Sequence, residues 1–304
     1  MPLEEQAREP DSRFKSFDFT PGALGGIARV SQVSVLRDCL RGGALVTLFQ
    51  PILDLRSGGV LGYEALSRGP AGSALESAEA LFGCAGEHGL SHDLELVALR
   101  QAVERFGLAG GSGRLFVNLS PLALAERTRE VDLVVDCARR ASMSPRDIVI
   151  ELAERQSIES GSPAWKALLH WRNKGFGIAI DDFGQGFASL RLLSELRPEY
   201  VKLDKHFVNG VHRDALKVQI ALSVRQIAEV AGSAVIAEGV ESPRDFHVLR
   251  DLGIRLCQGY LIGRPAREPG DAGSRRSAGR QVQGQPLVGR RDCVTRALQE
   301  GVSD

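Results

Sequence analysis

VTLFQPILDLRSGGVLGYEALSR, residues 46–68, holds two apolar runs, 46–55 and 60–68, with only RSGG between them. A Gly-containing connection this short closes a hairpin, and a hairpin makes its strands antiparallel. Downstream the pattern changes. Apolar runs at 114–120, 147–154, 177–183, 200–208, 233–240 and 255–263 read as strands, and helical stretches at 92–106, 122–141, 163–174, 188–196, 214–231 and 243–252 lie between most of them. Strand followed by helix, repeated, means parallel strands joined by right-handed crossovers. Eight strands between residues 46 and 265 fit a barrel better than an open sheet. The expected fold is therefore α/β, a modified TIM (β/α)8 barrel with an antiparallel first strand.

The barrel is expected over 31–266. Residues 1–30 carry polar clusters, Pro10, Pro21 and Gly25-Gly26 without a sustained period, and read as a flexible N-terminal arm. From residue 267 the chain becomes Gly/Ser/Arg-rich (GDAGSRRSAGRQVQGQ, 270–285), which reads as a linker or tail. The following LVGRRDCVTRALQEG (287–301) has the length of one short helix or of the start of another domain.

Composition narrows the function classes. With 38 Lys+Arg against 38 Asp+Glu the 304-residue chain is formally neutral, against broad binding to DNA, RNA or anionic membrane. No apolar run reaches the roughly 18 residues of a membrane span, and MPLEEQAREPD lacks the basic-then-apolar start of a secretory signal. Cys39, Cys84, Cys137, Cys257 and Cys293 never form CxxC, so reduced thiols in a cytoplasm are expected, not a zinc site or a disulfide framework.

In such a barrel chemistry sits at the C-terminal ends of the strands. Those ends carry Glu64, Asn118, Glu151, Asp181 with Asp182, Lys202 with Asp204, Glu238 and Gln258. One acid at a strand end is more often solvated or a helix cap. So many are harder to dismiss, because carboxylates aimed at one axis repel one another unless divalent cations sit among them. An oxygen-rich set with one amide and no paired His or Cys prefers hard ions, Mg²⁺ or Mn²⁺. The Asp181-Asp182 pair has the composition to bridge two of them, the arrangement suited to attack of water on a phosphodiester.

GYEALSR (62–68), FVNLSP (116–121), IELAE (150–154), IDDFGQGFASL (180–190), VKLDK (201–205), AEGVE (237–241) and QGYLIGRP (258–265) resemble, in order and spacing, the successive motifs of the EAL-domain phosphodiesterases. The resemblance implies hydrolysis of cyclic di-GMP to pGpG with Mg²⁺ or Mn²⁺ in a two-metal site, an antiparallel first strand, and a homodimer open to regulation by a partner. It implies that Glu64, Asn118, Glu151 and Asp181 are metal ligands, with Asp181 bridging, and that Asp182 and Glu238 complete the second site. Lys202 then holds or deprotonates the attacking water, and Gln258 contacts water near the metals. Together with Glu64 and Glu238 these form the implied catalytic group. Arg68 corresponds to an arginine that grips a substrate phosphate, and Gln50 reaches the substrate from the first strand. Glu154 resembles a glutamate that steadies the loop after the fifth strand, and Asp204 and Glu241 belong to the supporting shell.

Gln185, Phe187 and Ala188 depart from the usual DDFGTGYSSL of that loop, and Ser67 and Gly69 from the common Leu and Trp beside Arg68. These departures leave one alternative, an EAL-type barrel that binds cyclic di-GMP with weak or no catalysis; a hydrolase for another phosphodiester is a third. Other signals carry less. His92-Asp93 lacks the ordered partners of a His-Asp metal site and fits a solvent-facing or N-terminal helix position. GGSG (110–113) precedes a strand and is a turn, and Trp165 and Trp171 read as packing residues.

Overall fold

The computed structural model describes residues 26–126, 130–153, 158–184 and 189–270. Helix α1 (Gly26–Leu40) leads into the hairpin of β1 (Val46–Asp54) and β2 (Gly59–Arg68). Then come α2 (Ala78–Glu87), α3 (Ser91–Leu108), β3 (Arg114–Asn118), α4 (Pro121–Glu126), α5 (Glu130–Arg140), β4 (Ile148–Ala153), α6 (Pro163–Asn173) and β5 (Gly177–Phe183). The last third holds α7 (Ser189–Leu196), β6 (Tyr200–Leu203), α8 (Lys205–Val208), α9 (Ala215–Ala231), β7 (Ala234–Ala237), α10 (Pro243–Asp251) and β8 (Leu256–Gln258).

The strands close into a barrel in sequence order. β1 runs antiparallel to both neighbours, β2 and β8, and the other pairs are parallel. Val46 faces Arg68 and Gln50 faces Glu64 across the hairpin, so β1 starts at the end of the barrel where the parallel strands finish. Ala266, beyond β8, exchanges backbone hydrogen bonds with Phe49 (2.7 and 3.0 Å) and seals the seam.

Period-two alternation builds the interior. Ile52, Phe116, Val149, Ala179, Ile236 and Leu256 form one buried apolar layer inside the barrel. Two positions along the same faces stand Gln50, Asn118, Glu151, Asp181, Glu238 and Gln258. The barrel is thus plugged by hydrocarbon below and lined with polar groups above, and the apolar plug keeps water from entering the polar layer from beneath. Outside, a large cluster including Phe106, Leu168, Trp171 and Phe176 packs the helices on the sheet, and Trp165 lies partly buried against it. A smaller cluster joins α1, α2 and the start of α3 through Leu36, Leu81 and Leu94. Cys39, Cys84, Cys137 and Cys257 are all free and buried.

The structure departs from the sequence reading at several ends. The run 200–208 is a strand only to Leu203: Asp204 accepts a hydrogen bond from the His206 N–H (2.7 Å) and caps α8. Within the helical stretch 122–141 the described residues form α4 and α5. Helices α1 and α2 were not expected, and α1 begins inside the stretch read as an arm. His92 stands in the first turn of α3 but is not solvent-facing: it is 13% exposed and lies 3.5 Å from the Glu130 carboxylate.

Candidate active site

Convergence of four strands on one lysine defines the site. Lys202, on β6, is 1% exposed. Its Nζ lies 3.4 Å from Glu64 of β2, 3.0 Å from Glu151 of β4, 3.1 Å from Asp181 of β5 and 2.9 Å from Glu238 just past β7. Burial alone would lower the Lys202 ammonium, but the carboxylates of Asp181, Glu151, Glu238 and Glu64 outweigh it and hold the group well above the ordinary lysine range. Lys202 is therefore a cation in this arrangement.

Amides tie down Glu64. Gln258 donates to Glu64 (2.6 Å) and to Gln50 (3.1 Å), Asn118 donates to the other Glu64 oxygen (3.1 Å), and Gln50 donates to the Gly263 carbonyl (3.1 Å). Burial pushes Glu64 up, yet the Lys202 ammonium and the Gln258 and Asn118 amides prevail and hold it below the usual carboxylate range. Glu151 fares differently. It is fully buried, neither oxygen receives a hydrogen bond of good geometry, and burial drives it well above the ordinary value against the opposing pull of Lys202. Glu238 is likewise raised well above, first by burial and then by Asp181 and Glu64.

Consecutive residues of a strand face opposite ways, so Asp181 and Asp182 share the mouth only because β5 departs from regular extended geometry at that point. Asp182 has φ +54°, a left-handed conformation that aspartate tolerates better than most side chains, and its N–H bonds to the Asp181 carboxylate (3.0 Å). Partial burial, then Asp181 and Asp204, push Asp182 up to about 6.

Donor chemistry fits a divalent cation. Asp181, Asp182 and Glu238 place carboxylate oxygens within 4.8 Å of one another. Beside them Glu151 is buried with neither oxygen in a hydrogen bond of good geometry, and among the described residues the Lys202 ammonium faces it at 3.0 Å. Hard oxygen ligands in this number suit Mg²⁺ or Mn²⁺.

A cleft of about 440 Å³ opens over the layer, lined by Gln50, Glu64, Asp182, Asp204, Glu238, Glu241 and Gln258, with Lys205 and Tyr260 at its rim. Arg68, at the end of β2, is half-buried and donates to the carbonyl of Ser67 (2.7 Å). Glu154, Gln185, Phe187 and Ala188 lie outside the described residues. One supporting residue escaped the sequence reading: Glu95 of α3, raised by burial, accepts the Ser120 N–H (2.7 Å) and anchors the segment just after Asn118. Nothing but helical periodicity marks Glu95 in the sequence.

With this geometry in view, the match of the EAL domain family to residues 33–265 is decisive. The chain belongs to the EAL domain family. Among EAL relatives it is 30% identical over 236 residues to the probable cyclic di-GMP phosphodiesterase PdeB of Escherichia coli K12, covering 75% of this chain and 44% of PdeB. The chain thus spans less than half of that relative. Among solved EAL structures it resembles a manganese/cyclic di-GMP complex of Klebsiella pneumoniae BlrP1, with 32% identity and a TM-score of 0.68 over 74% of this chain and 57% of that one. The PaMucR phosphodiesterase in complex with cyclic di-GMP is similar at 29% identity and a TM-score of 0.69, covering 79% of this chain and 98% of that one. No described helix is long and apolar enough to cross a membrane.

Proposed function

We propose that this EAL domain is a metal-dependent phosphodiesterase that hydrolyses cyclic di-GMP to linear pGpG. The observation that carries the reading is the convergence of Glu64, Glu151, Asp181 and Glu238, from separate strands, on the buried Lys202. Glu64, Asn118, Glu151, Asp181, Asp182 and Glu238 would hold two divalent ions. When bound, such ions supply positive charge to the phosphoryl oxygens and make a water more acidic. The chain's own residues do the remaining work. Lys202, with its ammonium among the four carboxylates, holds or deprotonates the attacking water. Gln258 and Asn118 fix the orientation of Glu64, and Gln258 is itself aligned by Gln50. The apolar layer under Glu151 excludes bulk water and strengthens every charge interaction above it. Arg68 contributes a guanidinium fork for phosphate, and Asp204, Glu241 and Glu154 support the surrounding loops.

Purified protein incubated with cyclic di-GMP and Mg²⁺ or Mn²⁺, followed by chromatography, tests the reading. Accumulation of pGpG supports it, and its absence with both ions refutes it. Ligand retained in Ca²⁺ but never cleaved in Mg²⁺ would instead identify a cyclic di-GMP receptor. Four buried free thiols support a cytoplasmic location, and family membership supports a homodimer under control of a regulatory partner.

A further inference from the structure

A cyclic dinucleotide brings two phosphodiester anions to a cleft whose floor is acidic. Lys202 cannot serve them from the surface, because it is 1% exposed and enclosed by four carboxylates. Lys205 stands differently. It is exposed, it is the one Lys or Arg among the described residues lining the cleft, and its ammonium has no ion-pair partner among them.

The neighbouring loop passes close beside its stem. Gly239, in the loop after β7, has φ +62°, and a Cβ there would come within 2.6 Å of the Lys205 Cβ. Glycine at this point leaves room for the start of the lysine side chain. The strand before Lys205, β6, is four places from β2 in an eight-strand barrel and so stands opposite it. Arg68, at the end of β2, and Lys205, after β6, bracket the mouth from two sides.

We propose that Lys205 is a binding residue for a phosphate of the ligand, paired across the mouth with Arg68. The assignment rests on the cyclic di-GMP reading above. Calorimetric titration of cyclic di-GMP into full-length protein in Ca²⁺, which keeps the ligand intact for the measurement, tests it with Lys205→Ala, Lys205→Arg and, as a charge control on the outer face of α6, Lys166→Ala. Lys205→Ala should bind about tenfold more weakly than wild type at about 0.05 M salt, with a smaller gap at about 0.5 M. Lys205→Arg should stay within about threefold of wild type and Lys166→Ala should match it. Binding by Lys205→Ala as tight as wild type, or a loss that salt does not reduce, overturns the contact alone. A wild-type protein that binds no cyclic di-GMP overturns the functional reading and the contact together.

Discussion

Replacing Asp182 by Asn should make the metal-free protein more stable. The substitution removes one charge with little else: the side chains are nearly isosteric, and Asn accepts the left-handed φ of +54° at least as well as Asp. Burial and the neighbouring Asp181 and Asp204 raise Asp182 from 3.8 to about 6, so the folded state binds a proton more tightly than the unfolded chain does. Stability from this group therefore falls as pH rises from about 4 through about 6, and the cost is complete above that. The full difference amounts to about 3 kcal/mol. Asp182 is partly open to solvent, and screening reduces this to about 1.5 kcal/mol. For a barrel of this size that is a gain of about 3–6 °C in Tm for Asp182→Asn at pH 7.5 in EDTA, disappearing near pH 4. Thermal unfolding followed by circular dichroism across that pH range measures it, and excess Mg²⁺ should reverse the ranking, because only wild type gains full ligation. An unchanged Tm at pH 7.5 in EDTA, or a gain that persists undiminished at pH 4, would refute the claim that repulsion among the mouth carboxylates burdens the EDTA-treated protein.

Glu64→Gln keeps the volume but removes a carboxylate that two amides and Lys202 orient, and pGpG formation should fall by at least about a thousandfold while the fold survives. Asp54, held down to about 2 chiefly by its hydrogen bond from Arg255, adds stability above its ordinary value that is lost as pH falls from about 5 to about 2. Arg255 is half exposed. After screening, Asp54→Asn should cost about 1 kcal/mol in urea unfolding at pH 7 and almost nothing near pH 2. Restoring the family's common residue with Gly69→Trp should destabilise by about 2 kcal/mol or more, since a Cβ there would lie 2.1 Å from the Leu75 carbonyl oxygen, and a Tm equal to wild type would disprove that crowding.

Barrel, hairpin and ligand positions were legible because each rests on short-range pattern. A short Gly-containing connection permits only an antiparallel pair, and period-two alternation places an acid or amide two residues from each apolar plug residue, after it in the parallel strands and before it in β1. Less legible were features where two local signals compete. In YVKLDKHFV the β-branched and aromatic residues argue for strand through 208, whereas the capping preference of Asp204 ends it. Alternation likewise assigns Asp181 and Asp182 to opposite faces, and only the left-handed φ at Asp182 unites them. The Gln50–Gln258–Glu64 network joins residues about 200 positions apart, and closure of the barrel alone brings them together. The sequence showed that Lys202 and four acids share one end, but their contact through a single buried ammonium is a product of packing.

Reversal of β1 also changes where the chain enters and leaves. In a barrel of eight parallel strands the first strand begins at the closed end, far from the chemistry. Here Val46 lies beside Arg68 at the mouth, so α1 delivers the chain there, and the segment after β8 is clamped to Phe49 by Ala266 in the same strand. Any domain joined before α1 is thus wired to the rim of the cleft, not to the base of the barrel. A movement transmitted through α1 would reach β1 and Gln50, and from there Gln258 and Glu64, within a few hydrogen bonds.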